Sequence, residues 1–110
     1  MEANEYQRLA LRTAGDQDDK MPNGRIIYSY TGLAGEAGEV SDFHKKWLFH
    51  GHPFDRDKLV KELGDVAWYL AVNAWSHKIS LDEVLETNIA KLKARYPDGF
   101  TSEASINRKE

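Results

Sequence analysis

The chain has 110 residues, 41% hydrophobic and 30% charged, and a net charge of −3. That length fits a single domain spanning residues 1–110 with a modest core, and so small a charge gives no field that would favour nucleic acid. The absence of cysteine excludes a disulfide framework, a thiolate metal site and a cysteine nucleophile.

Met1-Glu2-Ala3-Asn4-Glu5 has no apolar run of signal-peptide type. No window approaches the roughly 20 apolar residues of a membrane span. The expectation is a cytoplasmic protein with no membrane partner. Asn4-Glu5-Tyr6-Gln7 reads as an N-cap followed by a capping-box glutamine. Tyr6, Leu9, Ala10 and Thr13 recur at helical spacing, so a first helix to about Ala14 is expected, ended by Gly15. Residues 15–24 are loop by composition.

A second helix is expected from about Arg25 to Phe49, with Ile26, Tyr30, Leu33, Ala37, Val40, His44 and Trp47 on one stripe. Gly32, Gly35 and Gly38 interrupt it, each costing about 1 kcal/mol against alanine. Their smallness is read as room for another backbone, a ligand or metal-bound water to approach. His50-Gly51-His52-Pro53 forms a turn. Asp55 or Asp57 can cap a third helix that runs to about His77. From Val66 to Trp75 that helix is apolar nearly all round. So small a domain cannot wrap it alone, and burial in a subunit interface through this helix is expected. Ser80-Leu81-Asp82-Glu83 opens a fourth helix, which Pro97-Asp98-Gly99 stops. The tail from Thr101 is polar and is expected to be loosely held. The fold class is all-α, a four-helix bundle.

Four acids stand out. Glu36/Glu39 and Glu62/Asp65 are each spaced i, i+3, which puts both members of a pair on one helix face. The midpoint of Glu39 and Glu62 is position 50.5, as is that of Glu36 and Asp65. A chain folded back at His50–Pro53 brings the pairs level. Facing carboxylates are costly unless a cation sits between them. Without Cys or His ligands, they form the hard oxygen set suited to Mg²⁺ or Mn²⁺. Mg²⁺ keeps waters and completes its shell with substrate phosphates, so a phosphate ester is the expected substrate. A di-iron site would need Glu-x-x-His on two helices, and neither pair carries the histidine.

Gly35-Glu36-Ala37-Gly38-Glu39, then 22 residues, then Glu62-Leu63-Gly64-Asp65-Val66 resembles the Glu-x-x-Glu…Glu-x-x-Asp signature of the MazG-like nucleotide pyrophosphohydrolases, within the all-α NTP pyrophosphatase superfamily. Asn88 to Pro97 resembles that family's last helix. The resemblance covers about Tyr28 to Phe100. It implies an α-helical homodimer or homotetramer that binds Mg²⁺ and cleaves a nucleoside triphosphate to monophosphate and pyrophosphate. Glu36, Glu39, Glu62 and Asp65 are then the metal-ligand candidates, with Glu36 or Glu39 orienting or deprotonating water.

Asn88, Lys91 and Arg95 share one face of the fourth helix and read as a phosphate- or sugar-facing strip, the alternative being a solvated face; Lys45 and Lys46 are further candidates. Tyr69, one turn after Asp65, can reach a phosphate or serve as a core aromatic, and Trp47 can stack a base or belong to the core. Two rival readings remain: a related hydrolase of phosphoribosyl-ATP or dUTP type, and a non-catalytic helical module that binds a partner through the third helix.

Overall fold

In a computed structural model, which describes residues 1–108, the chain forms five helices: α1 (Ala3–Leu11), α2 (Gly24–Phe49), α3 (Arg56–Ser76), α4 (Leu81–Arg95) and α5 (Ser102–Ile106). No strand occurs among the described residues. The long pair α2 and α3 folds into an antiparallel hairpin, with α1 and α4 packed against α3. At 26 residues, α2 is about 39 Å long.

The turn of the hairpin is locally encoded. The N–H groups of His50 and His52 both return to the Lys46 carbonyl at 3.1 Å. Gly51 between them takes φ 76°, a left-handed conformation that a glycine enters without a Cβ penalty. Asp55 then caps α3, its carboxylate accepting from Lys58 N at 3.1 Å. Where the sequence left Asp55 and Asp57 open, the cap is Asp55.

The start of α1 departs from expectation. The N-cap is Glu2, without a side-chain cap, and neither Asn4 nor Gln7 serves its own helix. Gln7 is buried. Its Nε2 donates to the carbonyls of Ala71 and Ile79 at 3.0 and 3.1 Å, and its Oε1 accepts from Leu81 N at 3.0 Å. Asn4 Oδ1 accepts from Asp82 N at 2.9 Å, and Ser80 Oγ accepts from Glu83 N at 3.1 Å. Three unpaired N–H groups at the start of α4 are thus satisfied, two of them by side chains of α1. A capping pattern one turn long in sequence acts across 74 and 78 residues instead, because the first N–H groups of a helix have no acceptor within it and α1 brings two within reach. α1 itself tapers through Arg12, Thr13 and Ala14, whose N–H groups bond three residues back.

The core lies where α1, α2 and α3 meet. Ala10, Ala14, Ala71, Val72 and Ala74 are buried there. Ser29 is fully buried. It donates to Ile26 O at 2.8 Å and accepts from Asn73 Nδ2 at 3.0 Å, which ties α2 to α3. Trp68 Nε1 donates to Ala10 O and Thr13 Oγ1, tying α3 to the end of α1.

Apolar groups on the outer parts of the fold are less covered. Val60, Leu63, Leu85, Ile89 and Leu92 are exposed. The radius of gyration is 17.1 Å, against roughly 13 Å for a compact chain of this length. The expected polar tail contains a short fifth helix, α5, whose N–H of Ala104 is capped by Thr101 Oγ1 at 3.0 Å.

Candidate functional site

The two acidic pairs lie on facing helices of the hairpin. One carboxylate oxygen from each of Glu36, Glu62 and Asp65 lies within 4.8 Å of the other two. Glu39, one turn along α2, stands outside that group and is exposed. Glu36 and Glu62 are partly covered and Asp65 is exposed, so the cluster sits at the edge of the helix interface.

Its electrostatics are one-sided. Burial, followed by the charges of Asp65, Glu62 and Glu39, raises the pKa of Glu36 above the ordinary carboxylate value. Every charge acting on it is negative. Three hard oxygen donors at this spacing are chemically suited to a small divalent cation such as Mg²⁺ or Mn²⁺, which would remove the repulsion that perturbs Glu36.

Two tyrosines border the acids. The Tyr69 hydroxyl donates to the Tyr28 oxygen at 3.3 Å, and their rings lie 5.7 Å apart. That hydrogen bond, then burial, then the charges of Tyr28, Glu36 and Asp65 push the Tyr69 pKa up to about 12. The phenol therefore stays protonated near neutrality. Sequence reasoning missed Tyr28. Its signal is spacing: Tyr28, Gly32 and Glu36 recur every four residues on α2, as Asp65 and Tyr69 do on α3. The glycines of α2 divide in role. A Cβ at Gly32 would overlap the Tyr69 ring, whereas Gly35 and Gly38 face open space. Beside Tyr28 an apolar recess of about 360 Å³ is lined by Met21, Gly24, Ile27, Thr31 and Gly32.

The other sequence candidates lie elsewhere in the chain. Lys46 Nζ pairs with Asp42 at 2.8 Å, and Lys45 pairs with the same carboxylate at 3.0 Å. These hydrogen bonds hold the Asp42 pKa down at about 2 and raise that of Lys46. The charge of Glu39 also acts on Lys46. Trp47 belongs to an aromatic cluster at the hairpin tip, its ring 4.8 Å from Phe54 and 6.1 Å from His44. It also lines a small recess of about 170 Å³ with Lys46, His52 and Lys58. α4 packs against α1 and α3 and has no comparable contact with α2. Asn88 and Lys91 accordingly line a separate shallow recess with Glu83 and Thr87. Arg95 is half-buried at the end of α4.

An all-helical hairpin carrying clustered carboxylates from both arms defines a helical protein with an acidic cluster of metal-binding type. The chain belongs to the MazG nucleotide pyrophosphohydrolase domain family, whose profile matches residues 29–100. It is 38% identical over 115 residues to the gene 37 protein of Mycobacterium phage L5, an alignment covering 98% of this chain and all of that protein. No solved structure gives a significant match. No helix among the described residues is long and apolar enough to cross a membrane. Family membership and an acidic cluster of metal-binding type together point to a nucleotide pyrophosphohydrolase.

Proposed function

We propose that the protein hydrolyses nucleoside triphosphates to the monophosphate and pyrophosphate with Mg²⁺, for which Mn²⁺ can substitute. The observation that carries this reading is the convergence of Glu36, Glu62 and Asp65 within 4.8 Å, in a chain of the MazG family.

Glu36, Glu62 and Asp65 would hold the cation, with Glu39 one turn from Glu36 as a further ligand or as the base. When bound, the cation neutralises the phosphate chain and makes water more acidic. Glu36 or Glu39 accepts the proton of the attacking water. The water oxygen bonds to the α-phosphorus, the bond from that phosphorus to the bridging oxygen breaks, and pyrophosphate leaves with the electron pair.

The Tyr69–Tyr28 pair leaves the Tyr28 proton for a phosphate oxygen, since Tyr69 donates to Tyr28. Lys46 would exchange Asp42 for a phosphate. The base fits the apolar recess beside Tyr28, which borders Gly32 one turn from Glu36. Trp47 lies two turns beyond Glu39 with its ring tilted against Phe54, which makes it the second candidate for the base.

Asn88, Lys91 and Arg95 would serve the acids of a second copy. The exposed Leu85, Ile89 and Leu92 of α4, together with Val60 and Leu63 of α3, supply the apolar surface that a homodimer or homotetramer would cover.

The test is pyrophosphate release across ribo-, deoxy- and modified nucleoside triphosphates, with and without Mg²⁺. Metal-dependent release from at least one of them, lost in Asp65→Ala, is expected. Release that is indifferent to chelator, or retained in full by Asp65→Ala, would refute the assignment.

A further inference from the structure

A second recess, of about 420 Å³, lies at the other end of the hairpin, where the start of α2 meets the α3–α4 corner. Its wall includes Gln7, Arg25, Trp75, Ser76, Lys78 and Ser80. Arg25 is 11 residues before Glu36 on α2, and Trp75 is 10 residues after Asp65 on α3. Along either helix that places the recess about 15 Å from the acids.

The lining holds two cations and no acid. The Arg25 guanidinium lies 4.7 Å from the centre of the Trp75 ring, a cation–π contact that holds it in place. Its Nε is buried and has no hydrogen-bond partner. The Asp18 carboxylate accepts from the Arg25 backbone N–H at 3.0 Å, and no ion pair reaches the guanidinium or Lys78 among the described residues. Lys78 takes φ 61°, and its N–H donates to Trp75 O at 2.8 Å. Gln7 fixes the floor, since its three hydrogen bonds go to Ala71, Ile79 and Leu81. The side chains of Gln7, Asn4 and Ser80 already occupy the first N–H groups of α4. Anion recognition therefore falls to the side chains. Trp75 remains 42% exposed, which leaves indole surface for a flat ring.

We infer that the Arg25–Trp75–Lys78 recess is a separate binding site for a nucleoside monophosphate, with the phosphate between guanidinium and ammonium and the base on the indole. A phosphomonoester suits two unpaired cations and the Ser80 hydroxyl, and a base suits an exposed tryptophan. The inference does not require the chain to hydrolyse triphosphates.

The experiment follows the Trp75 indole N–H by NMR, assigned with Trp75→Phe, on the full chain in EDTA. A panel of nucleoside monophosphates, the matching nucleosides and inorganic phosphate are titrated in turn. At least one monophosphate should bind tenfold or more tightly than its nucleoside and than phosphate alone. Arg25→Gln and Lys78→Asn should each weaken it at least fivefold. Asparagine tolerates the left-handed backbone, so Lys78→Asn tests the charge without straining the corner. The double variant E36Q/D65N should leave binding unchanged. Lack of binding by any monophosphate, binding untouched by Lys78→Asn, or binding lost in E36Q/D65N would each overturn the inference. Because pyrophosphate is not measured, failure here is distinct from failure of the hydrolase reading.

Discussion

Gly32 lies directly against the ring of Tyr69, and a methyl group built on Gly32 would overlap Cε1, Cζ and Cδ1 of that ring. The contact sets how closely α2 and α3 approach beside the acids. It also seats the Tyr69 hydroxyl on Tyr28 at 3.3 Å. Gly32→Ala gains about 1 kcal/mol of helix propensity and incurs overpacking of about 1–3 kcal/mol. A net loss of up to about 2 kcal/mol is expected, seen as a melting temperature lower by about 4–8 °C for each kcal/mol lost. In a Tyr69→Ala background the same substitution should be neutral or stabilising. Equal losses in both backgrounds would remove the ring contact as the cause.

Gln7 should be worth more to stability than its place in a short first helix suggests. Gln7→Ala leaves the carbonyls of Ala71 and Ile79 and the N–H of Leu81 without their partner. A loss of about 2–4 kcal/mol follows, against about 1 kcal/mol for Asn4→Ala at the exposed Asp82 N–H. Urea unfolding monitored by circular dichroism separates the two. A Gln7→Ala variant as stable as Asn4→Ala would show that the corner between α3 and α4 holds without α1.

Glu36 gives the metal-free protein a signed pH dependence. Its folded pKa lies above its ordinary value of 4.5, so the native state binds more protons than the unfolded chain in the window between the two. Stability therefore falls as pH rises from 4.5 through the folded pKa and is flat below that window. Asp42 works in the opposite sense, its folded pKa being about 2 against an ordinary 3.8. Its contribution is lost only as pH falls from 3.8 to about 2, outside the Glu36 window. Urea midpoints from pH 4 to 7 in chelator should slope downward in the wild type and flatten in Glu36→Gln. Adding Mg²⁺ or Mn²⁺ near pH 7 should restore the lost stability, by about 2.7 kcal/mol at a concentration 100 times the dissociation constant. The double variant E36Q/D65N should show no metal effect.

Asn88 and Lys91 lie on a helix that packs against α1 and α3, apart from the acids of the same chain. If they serve a second copy, mixing Glu36→Gln with Lys91→Ala should recover activity that neither variant has alone. The recovery should rise with protein concentration in step with the mass seen by light scattering. A fully active Lys91→Ala, or mixtures no better than the sum of their parts, would return that strip to the role of a solvated face.

Much of this architecture is written in short-range pattern. The cap at Ser80, the choice of Asp55 or Asp57 to cap α3, the turn at residues 50–53 and the helical periodicity of α2, α3 and α4 each depend on residues within about one turn of each other, and the structure has a cap at Asp55, a cap at Ser80, a turn at Gly51 and helices over those stretches. The i, i+3 spacing of the acids likewise settles which helix face they share. What spacing alone does not settle is the rotation of each helix about its axis and the reach of each side chain across the gap. Packing decides both, through contacts such as Gly32 on Tyr69 and Asn73 on Ser29.

For that reason the level pairing of four acids resolves into a cluster of Glu36, Glu62 and Asp65, with Glu39 one turn outside. Asn4 and Gln7 show the same division. Their local pattern is that of a capping box, yet their oxygens serve α4 because the N–H groups there come within reach only once α1 is docked. Sequence by itself determined the first four helices, their approximate limits and the chemical character of the acids, since those are set by neighbours along the chain. Which side chains meet was decided only by the tertiary structure, where residues more than 60 positions apart share one hydrogen bond.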